Sequence, residues 1–161
     1  MKNVTLLISF LAFSFASSAQ CFVQNQVLAN VTCFGQCNGI AQVIASGGTP
    51  PFTYSWTPTG GNNATASNLC AGTYTVVAVD AAGCTTFTTV TITQPSPLSV
   101  SICAQSNANC STGCNGSAVV CAIGSVPPYT YQWSPAGGTG QTATNLCAGN
   151  YTVTVTDSHG C

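Results

Sequence analysis

Apolar and polar residues alternate along most of this chain, and the clearest case lies at residues 146–161, LCAGNYTVTVTDSHGC. Tyr151, Val153 and Val155 alternate with Thr152, Thr154 and Thr156, the period-two pattern of a strand with one buried face. The same sentence stands earlier, at residues 69–84, as LCAGTYTVVAVDAAGC, with Tyr74, Val76 and Ala78 on the inward positions. An Ala-Gly pair turns the chain into each strand, Asp-x-x-Gly turns it out, and a cysteine follows. Further strands are predicted over 27–32, 40–46, 52–57 and 85–93, with the polar stretch 58–68 as a loop. Gly47-Gly48-Thr49-Pro50-Pro51 forbids continued pairing and predicts a turn. Short strands with turn signals every 8–12 residues predict an all-β, immunoglobulin-like sandwich. No helical periodicity occurs beyond the first 19 residues.

Every landmark recurs after 77 residues. Cys33 matches Cys110, Cys37 matches Cys114, Trp56 matches Trp133, Cys70 matches Cys147 and Cys84 matches Cys161. Across 21–84 against 98–161, 31 of 64 positions are identical without a gap. That is a tandem duplication. The expected organisation is a signal segment at 1–19, a first repeat at 20–97 ending in the stiff Gln94-Pro95-Ser96-Pro97 linker, and a second repeat at 98–161. The second repeat lacks a counterpart of 85–93, so its sheet is expected to expose an unpaired edge, and the chain reads as a piece of a longer repeat protein.

Residues 1–19 carry a basic start at Lys2, an apolar run over 4–16 and a Ser17-Ser18-Ala19 cleavage signal. Cleavage is expected between Ala19 and Gln20. Cys21 suggests lipidation, but Gln20 stands where that signal wants a small residue. No segment of the mature chain is expected to span a membrane. Removing Lys2 leaves Asp80, Asp157 and His159, with no Lys or Arg. Such a chain cannot displace phosphate counterions, which excludes nucleic-acid binding, and it cannot attach electrostatically to anionic lipid. Thr, Ser, Asn and Gln keep the surface wet in place of charge.

Eleven cysteines behind an export signal predict disulfides. Four per repeat allow three connectivities. A nested pattern is preferred, Cys33–Cys84 with Cys37–Cys70, repeated as Cys110–Cys161 with Cys114–Cys147. The reason is placement: the outer pair flanks strands at the sandwich end, and the inner pair lies in loops one turn further in. Cys103 and Cys121 fall on the first two strands of the second repeat and suit an extra bridge. Cys21 is then odd, free or paired between chains. Zinc at Cys33-x-x-x-Cys37 is the weaker reading in an oxidising compartment.

Catalytic chemistry finds no footing. His159 sits in a turn where the first repeat has Ala82, and each repeat has a single carboxylate, too few for paired-acid work or a dedicated calcium site. No catalytic, metal or cofactor site is expected. Trp56 and Trp133 are read as core residues of the third strand, the alternative being a sugar-stacking platform with Tyr54 or Tyr131. Tyr74 and Tyr151 are expected to be buried, each hydroxyl capping a corner.

The motifs GGTPPFTYSW (47–56), LCAGTYTV (69–76) and DAAGC (80–84) resemble the SprB repeat of large Bacteroidetes surface proteins. The resemblance covers roughly 46–84 and 123–161, although the second copy has Gly124-Ser125-Val126 where the family pattern has Gly-Gly-Thr. It implies a secreted adhesin on the outer face of a Gram-negative cell, exported by the type IX route and in some members carried along during gliding. It also implies partners among surface glycans, other surface proteins and further repeats of the same chain. It brings no catalytic residues. The repeats are also similar to polycystic-kidney-disease and immunoglobulin-like modules, often spacers. Two functions follow as expectations: a structural stalk or adhesin, or a carbohydrate- or surface-binding module accessory to an extracellular enzyme encoded further along the gene.

Overall fold

The computed structural model describes residues 20–109 and 113–161. The expected signal segment, the cleavage residue Ala19 and Cys110 lie outside the described residues. The first repeat contains β1 (Phe22–Ala29), β2 (Gly39–Ser46), β3 (Thr53–Thr57), β4 (Thr65–Leu69), β5 (Gly72–Val79) and β6 (Thr85–Ile92). The second contains β7 (Ser99–Ser106), β8 (Gly116–Ile123), β9 (Thr130–Ser134), β10 (Thr142–Leu146) and β11 (Thr152–Thr156). The fold is all-β, with antiparallel sheets and no helix among the described residues.

In the first repeat, sheet β1-β2-β4 faces sheet β3-β5-β6. Alternation drives the packing: Ala41 and Val43 of β2 meet Tyr74 and Val76 of β5, with Trp56, Leu69, Val90 and Ile92 filling the space between. In the second repeat, sheet β10-β8-β7 faces the two-stranded sheet β11-β9. Its buried core is Val120, Trp133, Ala143 and Leu146, flanked by half-buried Tyr131, Tyr151, Val153 and Val155.

Two elements differ from the sequence expectation. The opening strand is β1 at Phe22–Ala29, several residues ahead of 27–32, because β1 pairs along β2 from Phe22 opposite Ser46 to Ala29 opposite Ile40. The stretch expected as a loop holds β4, which pairs with β2. Asn68 adopts φ 55 in that strand, so Ala66 and Leu69 both point inward and strict alternation is lost. Asn145 repeats this in β10 with φ 58.

Candidate functional site

Both tryptophans lie in the core. Trp56 is 5% exposed and Trp133 is 4% exposed. The indole Nε1–H of Trp56 donates to Asn63 O at 2.8 Å, and that of Trp133 to Gly140 O at 2.9 Å. Gly60, at φ +132, is wedged against the ring, where a Cβ would sit 2.7 Å from Trp56 Cβ; Gly137 does the same for Trp133 at 2.9 Å. With so little of either indole exposed, neither offers an open platform for sugar stacking. The tyrosines form the two corners. Tyr74 is buried and its hydroxyl donates to Cys70 O at 3.0 Å. The Tyr151 hydroxyl lies 3.3 Å from Cys147 O and accepts the Cys147 N–H at 3.1 Å.

The Asp-x-x-Gly-Cys turn is built the same way in both repeats. Asp80 Oδ1 accepts the N–H groups of Ala82 at 2.9 Å and Cys84 at 2.7 Å, while Oδ2 accepts that of Thr49 at 2.7 Å. Asp157 Oδ1 accepts those of His159 and Cys161, both at 2.8 Å. Its Oδ2 accepts the Ser125 hydroxyl and the Val126 N–H. Each carboxylate therefore ties the turn to the Pro-Pro loop across the sandwich end. The bonds favour the charged form. The Thr49 N–H, ahead of an opposing burial effect, lowers the Asp80 carboxyl below its ordinary value. The Ser125 hydroxyl foremost brings Asp157 down to about 2. His159 donates its backbone N–H to this turn, and its side chain is exposed.

The disulfides correct half of the nested pattern. Cys37 bonds Cys70, Cys114 bonds Cys147 and Cys103 bonds Cys121. Cys84, however, bonds Cys21 in place of Cys33. Cys33 bonds Cys161, across the two repeats, which removes Cys161 as the partner expected for Cys110. The physical reason lies in β1. Its eight residues span about 26 Å and run beside β6, so Cys21 meets Cys84 at one end while Cys33 emerges at the other. That packing is seen in Asn25, whose side-chain amide donates to Thr88 Oγ1 at 2.8 Å and Thr89 O at 2.7 Å.

Cys33 belongs to a joint between the repeats. The Val31 N–H donates to Thr93 O at 3.0 Å, the Thr93 N–H to Asn30 Oδ1 at 2.9 Å, and the Gly35 N–H to Gln94 Oε1 at 2.8 Å. These fasten the linker to the end of the first sandwich. The Ser125 N–H donates to Ser96 O at 3.0 Å, fastening the linker to the second. The Asp157 turn then brings Cys161 to Cys33, with its sulfur 3.6 Å from Thr32 O.

A cavity of about 600 Å³ opens in the second repeat, lined among others by Ile102, Gly116, Trp133, Leu146 and Tyr151. Its counterpart in the first repeat is occupied by β6. There Ile92 Cγ2 lies 2.7 Å from the point where a Cβ on Gly39, the equivalent of Gly116, would sit. The cavity thus has the position of a closing strand, with no cluster of ionisable side chains around it.

Comparison with known proteins agrees with this picture of a repeated β module. Two segments match the SprB repeat, residues 25–61 and 104–138. The matches begin further N-terminal than the motifs that carry the resemblance. Each takes in the end of the first strand of its repeat, the whole second and third strands and the Trp-facing glycine pair, and stops before Leu-Cys-Ala-Gly. No curated protein matches the chain. Among solved structures, three N-terminal domains of the Highly Immunogenic Outer Capsid protein of bacteriophage RB49 align at 20% identity and TM-score 0.47, covering 85% of this chain and 54% of that one. The chain therefore spans about half the length of that structure.

Proposed function

Starting from a chain that carries two SprB repeats, we propose that it forms a non-catalytic stalk or adhesin segment of a secreted cell-surface protein. The observation that carries this reading is the joint, in which linker hydrogen bonds and a disulfide fix one sandwich to the next. Five disulfides among the described residues support an oxidising, extracytoplasmic compartment. Among the described residues no helix is long and apolar enough to cross a membrane. Adhesion to glycans or to other surface proteins would use outward side chains. Phe87, 71% exposed, with Ile123 and Phe34 are the most exposed of the large apolar groups among the described residues. Burial of Trp56 and Trp133 removes the tryptophan platform that the accessory carbohydrate-binding reading relied on.

The test combines small-angle scattering with cell attachment. The maximum dimension should grow in proportion when two repeats become four, and cells whose surface protein lacks the repeats should attach less. Repeat arrays that fold back without lengthening, together with unchanged attachment, would remove the proposal.

A further inference from the structure

The cysteine that closes the Asp turn takes a different partner in each repeat, although the turn itself is the same. In the first repeat Cys84 bonds Cys21, which directly precedes β1. Cys21 is buried against Gly48, where an added Cβ would lie 3.1 Å from Cys21 Cβ and 2.5 Å from Asp80 Oδ2. In the second repeat the residue equivalent to Cys21 is Leu98, and the residue equivalent to Gly48 is Ser125. The Ser125 hydroxyl donates to Asp157. Cys161 is thereby left to reach back to Cys33. The departure from Gly-Gly-Thr at 124–126 thus accompanies the change of disulfide partner.

We infer that Cys33–Cys161 is a covalent strut that diverts tension around both sandwiches, with Cys21–Cys84 as the cap of the first one. A pull applied at Gln20 and at Cys161 has a short covalent route: about 12 residues from Cys21 to Cys33, then the bridge. Fully drawn out, that route measures about 40 Å, against roughly 490 Å for the uninterrupted backbone. The hydrogen-bonded ladders of β2–β6 and β7–β11 lie off the route and cannot be peeled apart by the ends. Without the strut, the shortest route crosses Cys21–Cys84, Cys103–Cys121 and Cys114–Cys147 and contains about 40 residues, or about 140 Å. This deepens the stalk reading and rests on it only for the source of the pull.

Single-molecule force spectroscopy on the oxidised, exported chain, with handles at its two ends, tests the strut. The wild-type chain should lengthen by no more than about 40 Å. The double variant Cys33→Ser/Cys161→Ser should lengthen about threefold further. Cys37→Ser/Cys70→Ser, whose bridge is off the short route, should match the wild type. Equal extension of the wild type and the Cys33/Cys161 variant would overturn the inference. So would non-reducing peptide mapping that joins Cys33 to Cys84, and this second measurement does not require the variant to fold. A chain that holds its length under force, while arrays of it fold back without lengthening and attachment is unchanged, would remove the stalk reading and leave the strut standing.

Discussion

The two repeats share their template, and their described residues bury cores of different size. Among the described residues, the first has ten buried core residues including Trp56, and β6 supplies two of them, Val90 and Ile92. The second has four including Trp133, and the place of β6 is a cavity of about 600 Å³. Staples follow the same division. The second repeat carries Cys103–Cys121 between β7 and β8, where the first has Gln26 and the exposed Ile44. Near-identical motifs therefore specify the strands and the turns, and in the first repeat β6 adds Val90 and Ile92 to the buried surface.

Core truncation should separate the repeats most sharply. Trp56→Ala is expected to cost about 5 kcal/mol and Trp133→Ala nearer 3 kcal/mol, because Trp133 already borders empty space. Urea unfolding followed by a probe in each repeat would measure both, and equal losses would mean the cavity has no energetic consequence. The inner disulfides should not distinguish the repeats. Cys37–Cys70 and Cys114–Cys147 both close a separation of 33 residues, so each Ser/Ser pair should lose about 3–4 kcal/mol in the chain-entropy account. Unequal losses in thermal unfolding would show that packing around the bridges matters more than loop length. Adding a copy of residues 85–92 after Cys161 should narrow the gap. Burying the added Val and Ile should raise the stability of the second repeat by about 2 kcal/mol, net of ordering the strand. Calorimetry of the extended chain would register it, and no gain would show that the cavity is not a strand site.

The smallest effect concerns acid. A carboxyl whose value is lowered on folding stabilises the fold above its unfolded value and loses that contribution as pH falls through the folded one. For Asp157 the window runs from 3.8 down to about 2. Asp80 is lowered too, but it accepts only backbone N–H groups and has no hydroxyl partner. Ser125→Gly, which copies Gly48, should raise the Asp157 value toward its ordinary one. Carbon-13 titration of the carboxylates would show it, and an unmoved Asp157 would mean the hydroxyl is not what holds it down.

Much of this was legible in the chain. The 77-residue offset, the β-sandwich class, the tryptophan environments, the burial of Tyr74 and the Asp turns all rest on local patterns with a direct physical reading; Tyr151, expected to be buried, is half-buried beside the cavity. What escaped was set by long-range geometry. β4 is polar and broken by the left-handed Asn68, so it carries no period to detect. Disulfide partners depend on where β1 begins, and its Phe22-Val23-Gln24-Asn25 start is largely exposed and weakly patterned. The odd cysteine, Cys21, was the available signal. An unmatched residue at the head of the first repeat, where the second has Leu98, pointed to a capping role.

The folding of both carboxylates into turns reaches beyond the turns themselves. Asp80 and Asp157 are the only acidic side chains in the chain, both are buried, and Lys2 is its one basic residue apart from His159. Beyond the predicted signal segment, the outer surface is made of hydroxyls, amides and scattered hydrocarbon, with almost no exposed side-chain charge. With both aspartates held ionised and no Lys or Arg beyond that segment, electrophoretic mobility around neutral pH should be low and directed to the anode. Salt has almost no side-chain charge to screen, and encounters with other surfaces gain nothing from electrostatic steering. The chain should therefore behave alike in fresh water and in brine.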